Sequence, residues 1–162
     1  MTSPGPLVVG HDGSRFSDSA LAWALDHAQA AGLPVHVVRA WSISTAARPA
    51  DARPGFVPGV DELGRATQAA LEADTAEALA EHPDVPVTLE AVHGPADDTL
   101  LTASRGASMV VIGPRGLGGF AGLLLGSVSD RLVRHASCPV LVLRGQDDAS
   151  APRTRAVDSV VD

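Results

Sequence analysis

Between Ile112 and Asp130 the chain runs GPRGLGGFAGLLLGSVSD, which puts Gly113, Gly116, Gly118, Gly119, Gly122 and Gly126 within fourteen positions. Glycine lets backbone N–H groups come close to a ligand and accepts positive φ. The array lies between an apolar run, Met109 to Ile112, and a helical pattern that opens at Gly126 and Ser127. A helix start offers N–H groups without intrahelical partners and the positive end of the helix dipole, a combination suited to a phosphate chain. A purely structural alternative stays open: the glycines turn the chain, and Ser127 with Asp130 forms an S-x-x-D capping box.

A second group of polar residues follows the first apolar run, where Leu7 to Gly10 ends in His11, Asp12, Gly13 and Ser14. Asp12 before Gly13 fits either an Asx turn or a carboxylate aimed at a ligand. Arg115 is chemically apt beside a phosphate, or is a solvated loop charge. Gly116, Gly118 and Ala121 also satisfy G-x-G-x-x-A. That dinucleotide fingerprint belongs in the first strand-to-helix turn with an acid ending the next strand, whereas the strand that follows here ends in Arg144. A dinucleotide or flavin carrier would rest on this match alone.

Composition removes several other classes of chemistry. The 162 residues carry 19 acids against 12 bases for a formal charge of -7, and every base is arginine. Without lysine there is no Walker A loop, no Schiff base and no Ser-Lys nucleophile pair. The missing lysine also rules out a phospho-accepting receiver domain. An acidic chain is a poor nucleic-acid ligand, because affinity there rests on neutralising phosphates. Cys138 is the single cysteine, and the six histidines show no metal-binding spacing, so neither a disulfide framework nor a metal site is expected. With no basic leader and no apolar run of about 18 residues, no membrane span is expected and a cytoplasmic address is the default.

The elements that must position these residues alternate. Leu7–Gly10 reads as a strand buried on both faces, Met109–Ile112 as another buried strand, and Val35–Trp41 as the second strand in the chain. Val85–Val92 alternates and carries Pro86, as an edge strand does. Val140–Arg144 completes the set. Helices are predicted from a cap at Ser17 or Asp18 to Ala31 with Gly32 as the stop, over Asp61–His82, from Gly94 and Pro95 to Ser104, and from Gly126 to His135. Ser42 to Val60, with three prolines and two glycines, reads as a long loop. Residues 1–144 form one domain, and 145–162 read as a flexible tail. Regular βα alternation with apolar strands predicts a doubly wound α/β fold with a parallel sheet and helices on both faces. Ligands in such sheets sit at the carboxyl ends of the strands, where the strand order reverses.

The spacing Gly113, two residues, Gly116, nine residues, Gly126, Ser127 resembles the motif of the universal stress proteins, and specifically their ATP-binding branch. The resemblance extends to VVGHDGS at Val8–Ser14, HVVRAW at His36–Trp41, HGPADDTLL at His93–Leu101 and CPVLVLR at Cys138–Arg144, covering residues 5 to 144. It implies a five-stranded parallel sheet in the order 3-2-1-4-5, flavodoxin- or Rossmann-like, with ATP across its carboxyl edge. On that resemblance Asp12 meets the ribose or adenine side, and Val37 or its neighbour lines the adenine pocket. Gly113, Pro114, Arg115 and Gly116 lie along the ribose and phosphates, and Gly126, Ser127, Val128 and Ser129 hold the β and γ phosphates. Pro114 has no N–H to contribute. Mg2+ would travel with ATP and could meet Asp12, and a homodimer would form through Val140–Arg144. The function implied is a nucleotide-responsive regulatory module in stress response, acting on a further protein partner. The alternative is slow ATP hydrolysis or self-phosphorylation at Ser127 or Ser129, for which the chain offers no lysine clamp and no evident base and nucleophile pair.

Overall fold

A computed structural model describes residues 4–117 and 124–144. The short apolar runs form a five-stranded parallel sheet: β1 (Leu7–Gly10), β2 (Val35–Trp41), β3 (Val87–His93), β4 (Met109–Ile112) and β5 (Val140–Val142), in the order β3-β2-β1-β4-β5. Between them lie α1 (Arg15–Ala31), α2 (Val60–Ala80), α3 (Ala96–Ala103) and α4 (Ser127–His135). The order expected from the resemblance is the order found. Because β1 pairs with both β2 and β4, the chain reverses its direction across the sheet at β1, and a crevice opens at the carboxyl ends of β1 and β4.

The helices cover the sheet in pairs, and the alternation of side chains along each strand feeds two cores. Leu7, Val9, Val35, Val37 and Val111 pack with Leu21, Leu25 and Leu71 on the face of α1 and α2. Val8, Val38, Val110 and Ile112 pack with Leu100 and Leu132 on the face of α3 and α4. Central strands buried on both faces explain why β1 and β4 read as unbroken apolar runs. At the β3 edge, Gln68 of α2 accepts from the Ala91 N–H at 2.8 Å and donates to the Leu89 carbonyl at 3.2 Å. One side-chain amide thus stands in for a neighbouring strand at the middle of an exposed edge.

Several boundaries differ from expectation, each for a local reason. The N-cap of α1 is Ser14, three residues before Ser17: its hydroxyl accepts from the Ser17 N–H at 3.3 Å, and the Ser17 hydroxyl donates to the Ser14 carbonyl at 2.7 Å. The earlier start follows from Asp12, whose carboxylate accepts from the Ser14 N–H at 3.0 Å and closes an Asx turn through Gly13, at φ 84°. Ser14→Ala should cost about 1 kcal/mol of stability, the usual worth of a serine N-cap, and denaturant unfolding checks it. The stop at Gly32 is as expected, with φ 66° and its N–H bonded to the Ala28 carbonyl. Helix α2 starts at Val60, where the Glu62 carboxylate accepts from the Gly59 N–H at 2.8 Å. β3 begins at Val87, after Pro86, and not at Val85. The expected tail, residues 145–162, lies outside the described residues.

Candidate functional site

A cleft at the switch point is lined by Gly10, His11 and Asp12 from the end of β1, Ser17 of α1, Val38 and Ala40 of β2, and Ala96 and Leu100 of α3. Ile112, Gly113, Arg115 and Gly116 complete it from β4 and the loop beyond, with Val128 and Ser129 from α4. Its wall is apolar and belongs to the α3 and α4 side of the sheet. Its rim is polar. Gly10 keeps the floor open, since a Cβ there would stand 3.0 Å from Ile112 Cγ2 and from Leu100 Cδ1.

The sequence-predicted residues divide into those at the cleft and those beside it. Asp12, Gly113, Arg115, Gly116, Val128 and Ser129 line it. Pro114 is buried just outside, with its carbonyl accepting from the Gly126 N–H at 2.7 Å, so Pro114 contributes an acceptor where its ring denies a donor. Gly126 is the N-cap of α4 and Ser127 its first helical residue, which is exposed. That placement corrects the capping-box alternative: no side chain caps α4, and Asp130 instead pairs with Arg134 at 3.0 Å. Val37 is also corrected. It is fully buried in the core beneath α1 and α2, and its neighbour Val38 faces the cleft, with Ala40 beyond it. Strand parity fixes which residues share a face, but the face itself is decided by where the helices cross. Gly118, Gly119, Ala121 and Gly122 lie outside the described residues.

The three motif glycines do different work. None of Gly113, Gly116 and Gly126 has positive φ. A Cβ on Gly113 would stand 2.7 Å from Phe16 Cβ, so this glycine lets the first turn of α1 pack against the end of β4. A Cβ on Gly116 would stand 2.5 Å from Asp12 Oδ2, so that glycine admits the carboxylate to the loop. A Cβ on Gly126 would meet only ordinary contacts, 3.5 Å from the Pro114 carbonyl oxygen and 3.6 Å from Arg115 Cα.

Asp12 joins the two loops of the crevice. Its Oδ1 accepts from the Ser14 N–H, and its Oδ2 accepts from the Leu117 N–H at 2.8 Å. Burial works to raise its pKa, but hydrogen bonds from Ser14, Leu117 and Ser17 outweigh that effect and hold the carboxyl below its usual range. Asp12 is therefore an anion at neutral pH. Opposite it, the Arg115 guanidinium lies 5.3 Å from the centroid of the Phe16 ring, which also carries Arg15 at 5.0 Å. Phe16 thus holds one cation at the mouth of the cleft.

The start of α4 supplies the complementary donors. Its first intrahelical bond runs from the Asp130 N–H to the Gly126 carbonyl at 2.9 Å, which leaves Ser127, Val128 and Ser129 as N–H groups without an intrahelical carbonyl. Ser129 is buried, and its hydroxyl donates to the Gly113 carbonyl at 2.9 Å, tying α4 to the end of β4. Arg131, one turn on, pairs with Asp97 and Asp98 at the start of α3. These bonds fix the donor-bearing end of α4 relative to the sheet. Burial raises the Cys138 thiol, the opposite of activation, which agrees with an inert packing role.

No cluster of His, Cys, Asp or Glu that could hold a metal on its own occurs among the described residues. Nor is any described helix long and apolar enough to cross a membrane. The lining residues that sequence reasoning passed over are Gly10, His11, Ser17, Ala40, Ala96, Leu100 and Ile112. Ala96 and Leu100 lie in the HGPADDTLL segment, and that segment was the available signal.

The arrangement has counterparts among known proteins. The family model of the universal stress protein family matches residues 5–144. A universal stress protein of Mycobacterium bovis is 38% identical over 143 residues, which cover 86% of this chain and 45% of that protein. The chain thus spans about half the length of the curated relatives it matches. Among solved structures, a universal stress protein in complex with cAMP is 28% identical with a TM-score of 0.61, covering 88% of this chain and 98% of that one. A universal stress protein from Lactobacillus plantarum shares the fold, with a TM-score of 0.70 at 21% identity, covering 89% of this chain and all of that one. With the sheet order, the glycine spacing and a family match over 140 of its 162 residues in agreement, the chain belongs to the universal stress protein family.

Proposed function

We propose that this protein binds ATP in the cleft at the β1/β4 switch point and acts as a nucleotide-responsive regulatory module in stress response. The observation that carries the reading is the start of α4: among the described residues, a helix with no side-chain cap, three N–H groups without an acceptor and a glycine N-cap, beside an apolar wall sized by Gly10. The base packs against Val38, Ala40 and Leu100. Asp12 faces the ribose, and the phosphates lie along Gly113 to Gly116 and onto Gly126, Ser127, Val128 and Ser129. Arg115 and the α4 dipole offset phosphate charge that an acidic protein otherwise repels. That a universal stress protein of the same fold has been solved in complex with cAMP supports a nucleotide as the class of ligand.

Mg2+ enters as the companion of the phosphates. Asp12 Oδ2 accepts one N–H, from Leu117, so the carboxylate would fit one position on a Mg2+ whose other ligands come from ATP and water. A homodimer through Val140–Arg144 belongs to the same proposal: among the described residues β5 has a sheet neighbour only in β4, whereas Gln68 covers the β3 edge. A cytoplasmic location goes with an ATP ligand.

Calorimetric titration of nucleotide-stripped protein with Mg-ATP, ADP, AMP, cAMP and NADH tests the reading. ATP is expected to bind with a Kd on the order of micromolar, about -8 kcal/mol, and NADH is expected not to bind. Tight NADH binding without ATP binding would restore the dinucleotide alternative. No nucleotide binding by folded protein would sink the proposal.

A further inference from the structure

The two helices that wall the cleft begin with acids. The first turn of α3 carries Asp97 and Asp98, directly after Ala96 of the cleft, and the first turn of α4 carries Asp130, directly after Ser129. A carboxylate in a first turn draws on the same dipole and amides that would hold an anionic ligand: Asp97 Oδ1 already accepts the Asp98 N–H at 2.9 Å. It also repels that ligand. In a chain with a formal charge of -7, such an arrangement opposes a polyphosphate.

Each of these acids is held by an arginine of α4. Arg131 spans both acids of α3: its NH1 group donates to Asp97 Oδ2, and its NH2 group donates to Asp98 Oδ1 at 2.8 Å. Arg134 takes Asp130 at 3.0 Å. The hydrogen bond from Arg131 is the largest of the influences that hold the Asp97 carboxyl below its usual range, so the bridge is ionic at neutral pH.

A half-exposed bridge of this kind adds little to stability, because solvent screens it and ordering a long side chain costs entropy. Its larger effect is on the field at the cleft. Arg131 lies one turn after Ser127, about 6 Å along the helix axis from the open amides. That is within the Debye length of about 8 Å at physiological ionic strength.

We propose that Arg131 is a specificity-determining residue of the nucleotide site: without touching the ligand, it offsets Asp97 and Asp98 and so lets the start of α4 accept a polyphosphate. The inference rests on the nucleotide reading above. With Arg131 in place the three side chains carry one net negative charge, and without it they carry two. A bridge that only aligned α3 with α4 would have the opposite consequence for the acids. Removing both of them would break the alignment and weaken binding, whereas under charge balance their removal strengthens it.

Calorimetric Mg-ATP affinity of the whole chain at about 0.02 M and about 0.5 M salt tests this, because the Debye length falls between them from about 20 Å to about 4 Å. The variants are Arg131→Gln, the pair Asp97→Asn with Asp98→Asn, and all three substitutions together. Ser129 still ties α4 to the Gly113 carbonyl in each of them. At low salt Arg131→Gln should bind on the order of threefold to tenfold more weakly than the parent, and the paired asparagine variant on the order of threefold more tightly. The triple variant should recover what Arg131→Gln loses. At high salt the differences should shrink to about twofold or less. Thermal unfolding shows which variants are folded, and should Arg131→Gln not fold, the paired asparagine variant decides alone. Parent affinity in Arg131→Gln at low salt, a triple variant as weak as Arg131→Gln, or a paired asparagine variant no tighter than the parent would overturn the inference. A folded parent that binds no ATP at either salt would instead overturn the nucleotide reading, and this inference with it.

Discussion

Replacing Gly126 by valine is expected to weaken ATP binding at least about tenfold, or about 1.4 kcal/mol, while the protein unfolds as the parent does. The asymmetry follows from the geometry of the N-cap. Gly126 has φ -75° and ψ 168°, a conformation open to any residue. Among the described residues a Cβ there meets nothing closer than 3.5 Å, so a small side chain has room. On the proposed reading, the glycine allows close approach of a ligand to the α4 N-terminus. Calorimetry for affinity and thermal unfolding for stability check the two halves separately. Undiminished affinity in a folded Gly126→Val protein would mean that the phosphates lie elsewhere.

Gly113→Val should behave in the opposite way, losing stability first. Its Cβ would meet Phe16 Cβ at 2.7 Å and the Phe16 backbone carbon at 3.2 Å. Backbone at the first turn of α1 gives way less easily than the end of a flexible side chain, and overpacking of this kind costs about 1–3 kcal/mol. In a chain of this length that corresponds to a fall in Tm of roughly 3–10 °C. Phe16 also carries Arg115, so displacing the ring moves the cation at the cleft mouth, and any affinity loss should accompany the melting change. A Gly113→Val protein with the parent's Tm would show that the β4 end yields and that Phe16 does not fix it.

These two glycines mark how far the sequence alone could be read. Their spacing was visible, but the reason for each was not. Phe16, which makes Gly113 necessary, is 97 residues away, and only the βαβ crossover brings it close. Strands β1 and β4 were legible because burial on both faces leaves continuous apolar runs. The start of α1 was not, because Ser14 caps it only after Asp12 has turned the chain. Val37 and Val38 differ only in parity, and nothing local says which face α3 covers. The hydrogen-bonded chain from Asp18 through His11 and Arg39 to Asp74 joins residues up to 63 positions apart. Its one trace in the sequence is Arg39 within the largely apolar run VHVVRAW.

The central claim is that nucleotide phosphates rest on the open amides of α4, and backbone amide shifts recorded during titration with ATP and with adenosine test it most directly. ATP should shift Ser127, Val128 and Ser129 together with Gly113 and Gly116. Adenosine should move resonances of the apolar wall, Val38, Ala40 and Leu100, and leave the α4 amides nearly unchanged. ATP binding that left Ser127, Val128 and Ser129 in place would contradict the claim.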